Sequence, residues 1–394
     1  MTERRLILVN HLLEPPGRIT GITRFLFALL SELIRRPHFR YALVTTWAAD
    51  ELPPALRHDN LAVIRRPFRQ STPLNIVAQT LTMGRLMRAT NAALEFNGNP
   101  IGGFCPGWPR VVTVHDLYFD VMGAHYRRRH RLWWNVFFPL TLASSAGAVC
   151  VSEATRSDLA KYYGRFANKA TVIHEAGALI HEGTAQEFSP VKAPYAIYVG
   201  NISPNKNPAL LVAALKILRA QGKPLSVIHV GRDELALLSS ALTMAGLTTS
   251  VETINGLSDA ELAATYRGAQ CLVVTSTYEG FCLPVVEAQA LGVPVICSDI
   301  AVLREVAGEG ALFVDPYDAD ALADQLNAIM IDPALRARLS NAGRHNAGRF
   351  SWDRAAAEAE VLFKRLIEAD EAESRKRKDR ASPTWPRSNS GAHG

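Results

Sequence analysis

The chain has 394 residues, enough for two sizeable cores, and 48% apolar with 20% charged residues excludes a disordered or fibrous chain. Net charge is +6 but unevenly spread: residues 1–190 hold 22 Lys/Arg against 14 Asp/Glu, residues 191–373 hold 15 against 22, and residues 374–394 hold 6 against 1. Five cysteines (Cys105, Cys150, Cys271, Cys282, Cys297) form no CxxC pair, which argues against a disulfide scaffold and for thiols in a reducing cytoplasm.

Leu6–Asn10 reads as a strand, and its apolar run is too short for a secretory leader. A Pro/Gly loop (Glu14–Gly17) leads to a helix whose Ile22, Phe25, Leu26, Leu29, Leu30, Leu33 and Ile34 share one face. Strands are predicted at Tyr41–Trp47, Val111–Val114, Ala148–Val151 and Ala170–Ile173, while residues 65–110 show no clear period. The basic run Arg127–Arg131 with Trp133, Trp134, Phe137 and Phe138 has two readings: an arginine turn before a core helix, or a peripheral contact of 127–138 with an anionic membrane. Asn135, Pro139 and Gly147 interrupt residues 132–151, so no spanning segment is expected.

The pattern restarts near Pro194. Strands are predicted at Tyr195–Gly200, Leu225–Gly231, Cys271–Val274, Val293–Cys297 and Ala311–Val314, with helices at Pro208–Gln221, Asp259–Arg267 and Asp318–Ile331. Two such βα runs predict an α/β fold of two Rossmann-like domains facing across a cleft, at 1–190 and 191–350. A last amphipathic helix covers 351–368, and 369–394 reads as a disordered basic tail.

Several groups are placed for chemistry. Glu279-Gly-Phe-Cys-Leu-Pro-Val-Val-Glu287 sets one carboxylate on a loop at a strand's carboxyl end and the other in the next helix's first turn, where open α/β sheets bind ligands. His115-Asp116 ends another strand, and a histidine there can bond a hydroxyl or carry a proton. Gly21 and Arg24 open the first helix, whose free N–H groups suit an anion. Lys206 follows a strand and could meet charge developing on a leaving group. Each also reads blandly, as a cap, a loop charge or a helix start. Asp318-Ala-Asp320 looks like a helix start rather than a metal site, and no His/Cys/Asp cluster has metal-ligand spacing, so no metal or cofactor is expected.

The Glu-x7-Glu segment with Gly280-Phe281 after the first Glu resembles the donor-site signature of retaining GT-B glycosyltransferases of the large family 4, group 1 type, which includes bacterial mannosyl- and glucosyltransferases. The resemblance extends over roughly residues 5–368. It implies an acceptor-binding N-terminal domain, a donor-binding C-terminal domain and a last helix crossing back. It further implies that Glu287 holds the ribose and that Glu279, Gly280, Phe281 and Leu283 meet the donor sugar. Lys206 and Gly21 would meet the diphosphate, with His115 and Asp116 beside the reacting carbon. Val251–Gly256 loosely matches the segment holding the base, and Ser152 with Arg156 matches the segment lining the acceptor cleft. Where relatives carry a second cation this chain has Asn201 and Asn205, which leaves Arg24 and Arg232 to supply it.

The resulting expectation is a retaining, metal-independent hexosyltransferase, mannose before glucose. It would use a GDP- or UDP-linked sugar donor and a glycan or polyprenyl-diphosphate-linked acceptor, without nucleic acid. Its expected place is the cytoplasm, peripheral to the inner membrane face, in lipopolysaccharide or exopolysaccharide synthesis. Alternatives are a nucleotide-sugar epimerase of the same architecture and a non-catalytic sugar-nucleotide-binding paralogue. Nucleic-acid binding rests only on a pI near 9.1 that the tail largely creates.

Overall fold

The computed structural model describes residues 4–17, 19–67, 72–104, 107–123, 128–177 and 194–381. The first domain is a parallel sheet of β1 (Leu6–His11), β2 (Arg40–Thr45), β3 (Leu61–Arg65), β4 (Leu94–Asn97), β5 (Arg110–Val114), β6 (Gly147–Cys150) and β7 (Ala170–Val172), in the order β3-β2-β1-β4-β5-β6-β7. Its helices are α1 (Gly21–Leu33), α2 (Thr72–Thr90), the short α3 (Tyr118–Val121), α4 (Arg128–Ser144) and α5 (Glu153–Tyr163). The stretch without a readable period holds α2 and β4, and β3 ends at its start.

The second sheet comprises β8 (Tyr195–Val199), β9 (Ser226–Val230), β10 (Val251–Ile254), β11 (Cys271–Val274), β12 (Val295–Ser298) and β13 (Ala311–Val314), in the order β10-β9-β8-β11-β12-β13. Its helices are α6 (Pro208–Ala220), α7 (Leu237–Ala245), α8 (Asp259–Gly268), α9 (Leu283–Ala290), α10 (Ala301–Ala307), α11 (Ala319–Ile331) and α12 (Pro333–Ala347), before the terminal α13 (Trp352–Ala381). Each sheet reverses its strand order once, between β1 and β4 and between β8 and β11. Such reversal points open a crevice at the strands' carboxyl ends.

Period-two alternation divides the first sheet's faces. Ile7 and Val9 of β1 face a core shared with α1 and α13, while Leu8 joins Met83 and Met87 of α2. Val112 and Val114 of β5 pack under Trp134, Phe138 and Leu142 of α4. Helix starts are capped by short polar side chains. Thr20 accepts from the Thr23 N–H at α1, Ser258 and Glu261 form a capping box at α8, and Asp318 accepts from the Ala321 N–H at α11. Four of the five cysteines are buried free thiols, and Cys105 lies outside the described residues.

The last helix returns to the first domain. Phe363 packs against Phe39 and Phe96 at ring separations of 6.5 and 5.2 Å. Leu366 lies so close to Gly147 that a Cβ there would come within 2.9 Å of it. α13 runs to Ala381, well past the expected end at 368, so the segment from 369 is helical over its first half rather than disordered. Its composition explains the correction: residues 369–381 have no Pro or Gly, Glu373 pairs with Arg377 one turn on at 2.6 Å, and Glu371 bonds Arg5 at 2.8 Å. Residues 382–394 and the boundary expected at 190 lie outside the described residues.

Phe363 is fully buried against the first domain. Phe363→Ala should destabilise the protein by about 3–5 kcal/mol, read from the urea midpoint. An unchanged midpoint would show that the returning helix does not hold the first domain.

Candidate active site

Two loops meet at the second sheet's reversal point, one after β8 and one after β11. They are stitched by hydrogen bonds: Thr277 N–H to the Asn205 carbonyl (2.7 Å), Asn205 Nδ2 to the Tyr278 carbonyl (2.9 Å), and Thr275 Oγ1 to the Lys206 carbonyl (2.7 Å). This frame brings Lys206 Nζ to 2.6 Å from Glu279 Oε1, which also accepts from Ser276 Oγ at 2.6 Å. Burial works against the Lys206 charge, but Glu279 outweighs it and holds the ammonium's pKa above its usual value. Lys206 carries three donors, so one can hold Glu279 while another meets an anion.

The β11–α9 loop ends on Cys282, a non-glycine residue at φ 80°, ψ 67°. Such left-handed backbone is disfavoured and persists only where its surroundings fix it. It turns the chain into α9, where Glu287 is buried and accepts from Tyr266 Oη at 3.2 Å. Burial lifts the Glu287 pKa to about 7 against the opposing pull of Arg24. Leu283 opens α9, half-buried. Phe281 is packed against His174 and Phe350, so its side chain belongs to the core and only its backbone is available to a ligand.

The first domain closes over this loop. A Cβ on Gly280 would collide with the His115 carbonyl, so the residue must be glycine there. The Gly280 carbonyl accepts from Ser152 Oγ at 2.6 Å and Thr155 Oγ1 at 3.1 Å, and Tyr278 Oη accepts from the Leu117 N–H at 2.8 Å. Ser152 therefore caps α5 and joins the domains. Glu305 of α10 adds a second joint, accepting from the N–H groups of Glu153 (2.7 Å) and Ala154 (3.0 Å) and pairing with His174 Nε2 at 2.8 Å. Arg24 bonds Asp259 across the cleft at 3.2 Å.

His115 and Asp116 face the Lys206–Glu279 pair. His115 Nε2 bonds the Gly98 carbonyl at 2.9 Å and must carry the proton, because a carbonyl only accepts. Nδ1 faces Glu175 Oε1 at 3.3 Å. Burial opposes the charge, but the bonds to Glu175 and Gly98 prevail and raise the His115 pKa. The charged form of the ring is thus favoured, and both nitrogens are engaged. Asp116 has its pKa raised, chiefly by burial, while one oxygen accepts from the Tyr118 N–H at 3.0 Å. Ile22, His115, Asp116, Phe119, Trp134 and Asn205 line a cleft of about 360 Å³ between the domains. A Cβ at Gly21 would meet nothing within 4 Å, so the start of α1 is open on that side.

The remaining expected residues have other partners. Arg232 is exposed and pairs with Glu234 at 3.5 Å, its N–H held by Asn201 Oδ1 at 3.0 Å. Arg156 is exposed and paired with Glu153 at 2.6 Å. Asn205 is buried and fully used by the loop frame, so no cation belongs at that position. In the aromatic run, Trp134 and Phe138 are core rather than surface, and Arg127 lies outside the described residues. Sequence reasoning missed Glu175, Glu305, Tyr266 and Tyr278. All four act across gaps of 21 to 161 residues, where local pattern carries no signal.

Residues 19–176 match the Glycosyltransferase Family 4 description and residues 181–346 match Glycosyl transferases group 1. O-antigen chain mannosyltransferase B of Escherichia coli is 26% identical over 65% of this chain and 70% of its own length. MMP alpha-(1->4)-mannosyltransferase of Mycolicibacterium hassiacum is 40% identical over 31% of each. Among solved structures, sucrose-phosphate synthase from Thermosynechococcus elongatus superposes with a TM-score of 0.75 at 21% identity, over 93% of this chain and 100% of that one. The fold is GT-B, and the chain belongs to the group 1, family 4 glycosyltransferases.

Proposed function

We propose that the protein transfers a hexosyl group, mannose before glucose, from a nucleotide diphosphate sugar to a glycan or lipid-linked glycan, with retained anomeric configuration. The observation that carries this reading is the Lys206–Glu279 pair at the second sheet's reversal point, roofed by His115 and Asp116 of the other domain. Both relatives named above are mannosyltransferases, which supports the sugar, and the O-antigen chain named for one of them supports a place in cell-surface glycan synthesis.

In this reading Glu287 accepts from the ribose hydroxyls and Glu279 from the donor sugar. Lys206 meets the diphosphate as the C1–O bond to phosphate breaks. The acceptor oxygen bonds C1 on the face the phosphate leaves, and its proton passes to the departing phosphate oxygen. His115, with both ring nitrogens engaged by Glu175 and Gly98, borders that step rather than shuttling a proton, and its favoured charged form adds to the field there. Asp116 orients the incoming hydroxyl through the oxygen not committed to Tyr118. The exposed Asn201 and the buried Asn205 favour one rival, a sugar-nucleotide-binding paralogue.

Donor hydrolysis across GDP-, UDP- and ADP-sugars separates the two. One nucleotide should be released slowly, and Lys206→Ala or Glu279→Ala should cut that rate by about 10²–10³. Donor binding without any turnover, with or without acceptor, would favour the paralogue. The donor's Kd should also fall as pH rises between about 6 and 8, because ribose hydroxyls donate to the ionised form of Glu287 and its pKa is about 7 in the empty site. Glu287→Gln should flatten that dependence, and a profile unchanged by the substitution would remove Glu287 from donor binding. Finally, Asn201→Arg should tighten donor binding about tenfold by supplying a charge-assisted bond. Isothermal titration checks this, and no gain would mean the diphosphate does not pass that loop.

A further inference from the structure

α2 and α4 cover the first sheet on the same face, opposite α1 and α13. The segment between β4 and β5 is packed between them: the Gly102 N–H donates to Thr141 of α4 at 3.2 Å, Gly103 lies against the Thr80 backbone of α2, and Phe104 stacks on Phe137 of α4 at 5.5 Å. Each helix is apolar on its inner face, as a core helix must be. Each is also apolar on its outer face, which a solvated helix is not. Leu74, Val77 and Leu81 of α2 and Leu132, Val136 and Leu140 of α4 are all between 44% and 66% exposed.

The spacing makes two continuous stripes. On α2 the outer positions are Leu74, Val77, Leu81, Arg85 and Arg88, three or four residues apart. On α4 they are Arg128, Leu132, Val136 and Leu140, each four apart. Exposed arginines extend the apolar stripes, and neither helix contains an Asp or Glu. Neither helix is long and apolar enough to cross a bilayer. An acid-free, arginine-ended apolar face of that kind lies in a membrane interface, with its leucines below the headgroups and its guanidinium groups among anionic phosphates.

We infer that the outer faces of α2 and α4 together form the surface by which this protein docks on an anionic bilayer. The surface is wider than residues 127–138 alone, and the outward aliphatic side chains carry it instead of Trp134 and Phe138, which face inward. In parallel βα units both helices start at the sheet edge where the cleft opens, and Trp134 of α4 itself lines that cleft. A lipid-linked acceptor could therefore stay in the bilayer while its glycan reaches Asp116. This last link rests on the proposed acceptor, whereas the docking surface does not.

The test is co-sedimentation of the full chain with phosphatidylcholine vesicles, with and without phosphatidylglycerol. The wild-type protein should pellet with the phosphatidylglycerol vesicles. The triple variants L74S/V77S/L81S and L132S/V136S/L140S should each bind at least tenfold more weakly, with unchanged thermal unfolding because the residues are exposed. R85Q/R88Q/R128Q should lose roughly a hundredfold, at about fivefold per arginine. All three should retain wild-type donor hydrolysis, so failure of docking and failure of the transfer reading are distinguishable. Absence of vesicle binding by the wild type, or binding unaffected by either stripe variant, would overturn the inference. So would a wild-type dimer in sedimentation velocity that the stripe variants dissociate, which would assign the face to a second copy of the chain.

Discussion

The site depends on one missing side chain. At residue 280 the His115 carbonyl occupies the space a Cβ would need, so glycine alone lets the β11–α9 loop slide beneath the first domain. Once there, its carbonyl is shared by the Ser152 and Thr155 hydroxyls at the start of α5, and the preceding Tyr278 bonds the Leu117 backbone. Glu279 lies between these two anchors. Its position under Asp116, and with it the position of Lys206, is therefore set jointly by both domains. The left-handed Cys282 belongs to the same constraint. A disfavoured backbone is held by a loop fixed at Asn205 on one side and α5 on the other.

Charge follows from that closure. Lys206 is balanced by Glu279, His115 faces Glu175, and Arg24 is paired with Asp259 while lying close enough to Glu287 to favour its ionised form. In low-dielectric surroundings such pairing avoids the cost of isolated buried charge. The pairs are arranged so that cations from different elements converge on one cleft. Burial pushes both Asp116 and Glu287 upward, Glu287 to about 7.

The sequence made some of this legible and concealed the rest for physical reasons. Buried strands such as Cys271–Val274 announce themselves because both faces are apolar, and the Glu279–Glu287 spacing is local. Edge strands are harder to read: β10 puts Glu252 and Thr253 in mid-strand and lacks an apolar run, while β3 keeps one at Leu61–Ile64 although its side chains are partly or fully exposed. α2 was unreadable because it is apolar on two sides, with Gln79 buried on its inner face, which blurs helical periodicity. Asp318 could be read as a cap because capping is a three-residue event. Glu305 could not, because its partners at the start of α5 lie about 150 residues away. For the tail, charge content suggested disorder, yet a run without Pro or Gly and with i,i+4 pairing continued the helix.

The two asparagines sharpen what closure must accomplish under the proposed transfer. Asn205 cannot be exchanged for a cation, because its amide and carbonyl hold the two donor-side loops together and its burial leaves no solvated place for a guanidinium. Asn201 is exposed and spends its carbonyl oxygen on the Arg232 backbone. Among the described residues of the second domain, Lys206 is the half-buried cation near the reversal point, and Arg232 lies exposed beside Asn201, against a diphosphate that brings more than one negative charge. The first domain adds His115, whose charged form is favoured by Glu175 and Gly98, and Arg24, which bonds Asp259 of the second domain. Under the proposed transfer, the bonds at Ser152, Thr155, Tyr278 and Glu305 couple the charge around the leaving group to the contact between the domains.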